Sequence, residues 1–166
     1  MQNDATTDSI LGLRLGARQV GMAVVEGGEL VDWAVMGLRQ CPLGSCSERF
    51  RLRLRELLLR YQPGVVAVED PSAARRASSS GLGAMVAQAR RAADGAGLVF
   101  QPYTPETIRT LLCGSASATV DDVAGRVVGR FPHLAPYRGP ATAWKEAYWE
   151  PMFTAVAVAL VCAGTT

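Results

Sequence analysis

Lysine is nearly absent from this chain. Of its 17 basic residues only Lys145 is a lysine, and the other sixteen are arginines. Arginine forks suit phosphate contact, although a genome rich in G and C gives the same bias. Histidine occurs once, at His133, and cysteine four times, at Cys41, Cys46, Cys113 and Cys162. Cys41 and Cys46 are not spaced as a CxxC pair, and one histidine cannot complete a paired set. Structural zinc is therefore disfavoured. The thiols read as reduced and mostly buried, as in a cytosolic protein. With no acid or serine motif partnering His133, Ser78, Ser79 and Ser80 read as loop residues rather than nucleophiles. The 114–119 loop lacks the Gly-Lys of a phosphate loop.

An excess of one charge is also lacking. The net charge is +2, so composition alone does not mark a nucleic-acid binder. The apolar run near the C-terminus is too short to span a bilayer. MQNDATTDS (1–9) has no apolar core of a signal peptide. A cytoplasmic protein is expected, with no membrane partner, residues 1–9 as a frayed tail and 10–166 as one domain. Hydrophobic content of 49% over 166 residues supports a sizeable core.

Periodicity gives the order of elements. Residues 10–15, 20–26 and 29–37 alternate as strands, and EGGE (26–29) is a hairpin turn. SERFRLRLRELLLRYQ (47–62) reads as a helix whose outer face carries Arg49, Arg51, Arg53 and Arg55. That face is either a DNA surface or, the preferred reading, a solvated one. Pro63-Gly64 leads into strand 64–69. LGAMVAQARRAADGAG (82–97) reads as a helix and LVFQPY (98–103) as a strand. TPETIRTLLC (104–113) and VDDVAGRVVGRF (120–131) read as helices, and a last helix covers about 151–163. Strands four and five follow helices and are expected parallel to the first. The result is an α/β sheet, a three-stranded antiparallel meander extended by parallel strands, with helices on both faces.

Two charged residues stand out in apolar strands. Arg14 interrupts ILGLRLGARQVGMAVV (10–25), and GVVAVED (64–70) ends on Glu69. An arginine in a sheet core needs a partner. Its guanidinium is expected to pair with Glu69, and with Glu150 as a second carboxylate. Asp70, Asp121, Asp122, Glu146 and Glu150 are nearby acids whose default role is surface charge. For Asp121 and Asp122 that role is to open a helix. Residues 132–151 hold Tyr137, Trp144, Tyr148 and Trp149 with Arg138 and Lys145. Such a mixture stacks bases or covers a site, and packing is the preferred reading.

These segments together resemble the RuvC-type Holliday junction resolvases, of the ribonuclease H-like fold, over roughly residues 10–163. The opening hairpin, YQPGVVAVED, the Gln-Ala-Arg helix, TPETIRTLLCGSASATVDDV and the closing AVAVALVCA occur in the family's order. In that family four carboxylates hold two divalent metals and activate a water for phosphodiester hydrolysis. Two cations about 4 Å apart need several anionic oxygens around them. Position by position, the first aspartate falls on Arg14, with Leu15 in place of proline. The glutamate falls on Glu69. The last two acids fall on Pro151 and Thr154, with Glu150 one residue short of the first. The family's loop lysine falls on Val120.

The resemblance thus implies a degenerate site of Arg14, Glu69, Glu150 and Thr154 with no resident metal. It also implies DNA contacts through Arg75 and Arg76, with Arg18 and Arg109 completing the DNA-contacting set, and a homodimer through residues 82–96. The first reading is a protein that binds branched, Holliday-type DNA without cutting it. The second is an active crossover-junction endonuclease, using Mg or Mn on a rearranged acid set of Glu69 and Glu150. The third is a relic of the fold serving as an interaction subunit, without nucleic acid.

Overall fold

Alternation sorts the residues of the first strand between two faces of a sheet. Leu11, Leu13 and Leu15 point one way, and Ile10, Gly12 and Arg14 the other. The computed structural model describes residues 8–16, 18–38, 45–70, 80–138 and 143–164. Cys41, Arg75, Arg76, Ser78 and Ser79 lie outside the described residues, as do the side chains of Ser80, Lys145 and Glu146.

Strands β1 (Ser9–Leu15), β2 (Gln19–Glu26) and β3 (Glu29–Gly37) form the antiparallel meander. Gly27 and Gly28 join β2 to β3 with φ of 56° and 82°. Positive φ at both central residues matches the right-handed strand twist in a two-residue turn. Helix α1 (Ser45–Tyr61) leads to β4 (Val65–Glu69), and α2 (Ser80–Gly95) to β5 (Val99–Tyr103). Both strands join in parallel, giving the five-stranded order β3-β2-β1-β4-β5. Helices α3 (Pro105–Cys113), α4 (Val120–Arg130) and α5 (Ala143–Ala163) complete the chain, with a 3-10 segment at Pro132–Tyr137. The expected element types and parallel crossovers are all present.

The caps are those the sequence signals. Thr104 opens α3 by accepting a hydrogen bond from the Thr107 amide at 3.1 Å, with Pro105 in the first turn. Thr119 and Asp122 form a reciprocal capping box on α4. Asp121 takes a bidentate contact from Arg138, at 3.1 and 3.0 Å. These two acids therefore serve local structure. Cys46, Cys113 and Cys162 form no disulfide among the described residues and are half-buried rather than mostly buried as expected. His133 packs beside the rings of Trp33 and Phe131. No helix among the described residues is long and apolar enough to cross a membrane.

Two cores share the sheet. Leu11, Leu13, Leu15, Val66 and Val68 pack on Phe50, Leu54 and Leu57 of α1 and on Val86 and Ala89 of α2. Ile10, Ala23 and Ala67 face α3, α4 and α5. Helix α5 is buried all round from Met152 to Val161 because the sheet covers one side of that stretch and α3 and α4 the other.

One boundary departs from expectation. The last helix begins at Ala143 rather than near residue 151, and Pro151 lies inside it. An internal proline removes an amide donor and costs about 3 kcal/mol. Tertiary packing outweighs that cost here. Trp149 stacks on Tyr137 with ring centroids 4.6 Å apart, and the Pro151 turn presses on β2. A Cβ at Gly21 would land on the Pro151 carbonyl, and one at Gly12 on the Ala155 carbonyl. Two glycines, Gly12 on β1 opposite Ala23 and Gly21 on β2 opposite Arg14, thus let the helix backbone lie directly on the sheet.

Candidate functional site

Register brings Arg14 and Glu69 side by side. They are partners in the parallel β1–β4 ladder, and both point toward α5. The close approach of α5 at Gly21, the residue opposite Arg14 on β2, delivers Glu150 and Thr154 to the same place. Arg14 Nε lies 3.7 Å from Glu69 Oε1 and 3.6 Å from Glu150 Oε1. The expected guanidinium pairing is present, with both carboxylates engaged. The Thr154 hydroxyl donates to Glu150 Oε1 at 3.0 Å and orients that carboxylate. The side chains are 27% (Arg14), 12% (Glu69) and 22% (Glu150) exposed, so the cluster is largely withdrawn from water.

The pairing is one of charge rather than of directed bonds. Arg14 Nε is buried and has no hydrogen-bond partner among the described residues. Nη1 donates to the Leu15 carbonyl at 3.1 Å, which folds the guanidinium over Gly16. Burial pushes the Glu69 carboxyl above its ordinary range. Arg14 opposes that rise, Glu150 adds to it, and Arg109 and Glu106 act more weakly in opposite directions. Arg109, on α3, therefore belongs to the electrostatics of this site.

A pH dependence follows from the raised Glu69 value. Between the ordinary and raised values the folded state holds more proton than the unfolded chain, so stability falls as pH rises through that window. Thermal melts run from the ordinary carboxyl value upward should show this component in the wild type and lose it in Glu69→Gln. Arg14→Ala should widen the window, because Arg14 is what lowers the value. Identical pH slopes in wild type and Glu69→Gln would refute the assignment.

The other expected site residues distribute as follows. Arg18 is exposed in the turn before β2, and its carbonyl accepts from the Leu38 amide at 2.8 Å. On α1, Arg51 pairs with Glu48 and Arg53 with Glu56, within the helix. Arg49 lines a cleft with Arg18, Trp144 and Tyr148. Among the described residues no three or more His, Cys, Asp or Glu side chains group as a metal site. Sequence reasoning missed the two glycines that seat α5 and the split among the aromatics. Tyr137 and Trp149 pack together, whereas Trp144 and Tyr148 stay exposed. The i, i+4 spacing of Trp144 and Tyr148 was a usable signal, hidden by reading Pro151 as the helix start.

The strand order and the helices on both faces define a ribonuclease H-like α/β protein, with an arginine–carboxylate cluster at the ends of β1 and β4. The chain belongs to the RuvC family: the family model described as crossover junction endodeoxyribonuclease RuvC matches residues 10–142. Among solved structures, RuvC from Thermus thermophilus is similar, with TM-score 0.73 and 24% identity over 94% of this chain and 93% of that one. The same Thermus protein in complex with Holliday junction substrate has TM-score 0.71 and 23% identity, covering 94% and 92%. The fowlpox virus Holliday junction resolvase has TM-score 0.60 and 10% identity, covering 95% and 99%. Among curated protein sequences there is no match.

Proposed function

We propose that this RuvC-family protein binds branched DNA, four-way junctions included, as a cytoplasmic homodimer, and does so without metal-dependent cleavage. The observation that carries the reading is Arg14 Nε, 3.7 and 3.6 Å from the Glu69 and Glu150 carboxylates. A guanidinium does not deprotonate in proteins. Two like unit charges 4 Å apart repel by about 4 kcal/mol at an effective dielectric near 20, and a divalent ion roughly doubles that. The residues present therefore do not fit a pair of divalent cations. Pro151 and Thr154, where the family resemblance places acids, supply no further anion. DNA contact is supported by the exposed Arg18 and by Arg109, whose charge acts on Glu69. It is also supported by the Thermus relative seen with its junction substrate. The homodimer reading through residues 82–96 is supported by the apolar groove beside α2, where Leu58, Leu59 and Ala92 meet Arg91.

A second reading, an active endonuclease rebuilt on Glu69 and Glu150, draws on the convergence of those two carboxylates. Incubating four-way junctions with Mg or Mn separates the two, since the first expects binding with intact strands. Binding should weaken steeply with salt. Neutralising about four phosphates gives a log–log slope near −3.6, roughly a hundredfold loss between 50 and 200 mM salt. A flat salt response would instead support an interaction subunit with no nucleic-acid role.

A further inference from the structure

Gly12, Gly16 and Gly21 are all buried in the first hairpin, but they face different things. Gly12 and Gly21 lie against helix backbone, whereas Gly16 lies against a side chain. A Cβ at Gly16 would stand 2.5 Å from Arg14 Nη1 and 3.7 Å from Arg14 Cζ. The first distance is well inside the separation at which non-bonded atoms attract. The same Cβ would be 3.0 Å from the Gln19 carbonyl oxygen, a contact that a small local shift relieves. Gly16 is not among the glycines with positive φ, so its backbone would accept alanine. What the glycine supplies here is space.

That space holds one end of the guanidinium. Nη1 donates to the Leu15 carbonyl at 3.1 Å, and Nε lies 3.7 and 3.6 Å from the Glu69 and Glu150 carboxylates. A guanidinium is planar and rigid, so a push on Nη1 turns the whole fork. The way out is open, since the Arg14 side chain is 27% exposed. Water and free rotamers both favour a long charged side chain that leaves the site.

We infer that Gly16 is the positioning residue of this site. Its missing side chain leaves the space into which the Arg14 guanidinium folds, and a methyl there turns the guanidinium away from Glu69 and Glu150 toward solvent. The inference rests on the reading of Arg14 as the cation of this site and deepens it. An arginine at the end of β1 is not sufficient, because the residue two places on decides whether its charge stays inside.

The test is nitrogen–proton NMR of the arginine Nε–H groups, with their exchange against water followed in wild type, Gly16→Ala, Gly37→Ala and Arg14→Ala. The Arg14 signal is the one lost in Arg14→Ala. In wild type it should exchange slowly, because the atom is buried. In Gly16→Ala the exchange should be faster by about tenfold or more. Gly37→Ala, where a Cβ meets nothing within 4 Å, should leave it unchanged. A double variant, Gly16→Ala with Arg14→Ala, should melt no lower than Arg14→Ala alone, because the atom that the methyl displaces is gone.

Equal exchange in wild type and Gly16→Ala overturns the assignment of Gly16 and leaves the Arg14 pairing standing. Equal acceleration in Gly37→Ala overturns it too, since a general loosening of the sheet would then be the cause. If Gly16→Ala does not fold, or if the double variant melts below Arg14→Ala, the glycine is needed by the Gln19 backbone and not by the guanidinium. If the wild-type Arg14 signal exchanges as fast as those of exposed arginines, the guanidinium is not held at all. The reading of Arg14 as the cation of this site then falls with the inference.

Discussion

Arg14→Asp should make the protein depend on divalent cations for its stability. The substitution removes the charge that compensates Glu69 and Glu150 and sets a third carboxylate beside them. Breaking a buried ion pair costs about 3–5 kcal/mol. With Arg14 27% exposed, a loss of about 2–4 kcal/mol without metal is expected. Adding Mn should restore stability by mass action, by about 2.7 kcal/mol at a hundredfold excess over the dissociation constant. At about 2–4 °C per kcal/mol for a chain of this size, the shift is readily measured by thermal melts. Wild type should show no such shift. If Mn stabilises wild type as much as the variant, Arg14 does not exclude a cation, and the proposed loss of metal chemistry is wrong. The variant is not expected to cut DNA, because Pro151 and Thr154 still lack the acids a second ion needs.

Gly21→Ala should be among the most damaging small substitutions in the chain. Its new methyl would overlap the Pro151 carbonyl and approach the Met152 amide, both helix backbone rather than yielding side chains. Overpacking of this kind costs typically 1–3 kcal/mol and occasionally more. Rigid backbone on both sides places this site at the upper end, about 3 kcal/mol, or roughly 6–12 °C in melting temperature. Gly37→Ala is the control, since nothing lies within 4 Å of a Cβ there. Its cost should stay near that of an ordinary surface change, within about 0.5 kcal/mol. Denaturant titrations that place the two variants together would show that the glycine seat does not set the position of α5.

The strands and their order were legible because each rests on local chemistry. Alternating apolar residues mark β1 to β3, Gly27-Gly28 turns the hairpin, and Thr104-Pro105 and the acids Asp121 and Asp122 announce α3 and α4. The pairing of Arg14 with Glu69 was legible for a related reason. Both are charges at the ends of apolar strands that a parallel crossover sets side by side. Other features depend on residues far apart in the chain. Nothing near Gly12 or Gly21 indicates that a helix about 130 residues later will rest its backbone there. Pro151 is a local stop signal that tertiary contact overrides. The cleft combines Arg18 and Arg49 with Trp144 and Tyr148, so it exists only once α5 is seated. Arg109 acts on Glu69 from α3, a placement no spacing rule supplies.

The ion pair at the ends of β1 and β4 has a consequence for supply. A metal neutralises carboxylates only while its concentration exceeds its dissociation constant, so a chelator empties the site. The positive charge beside Glu69 and Glu150 is carried by the polypeptide itself. It has no dissociation constant and arrives with every molecule synthesised. On the proposed reading, a chelator should therefore leave the shape of this site unchanged.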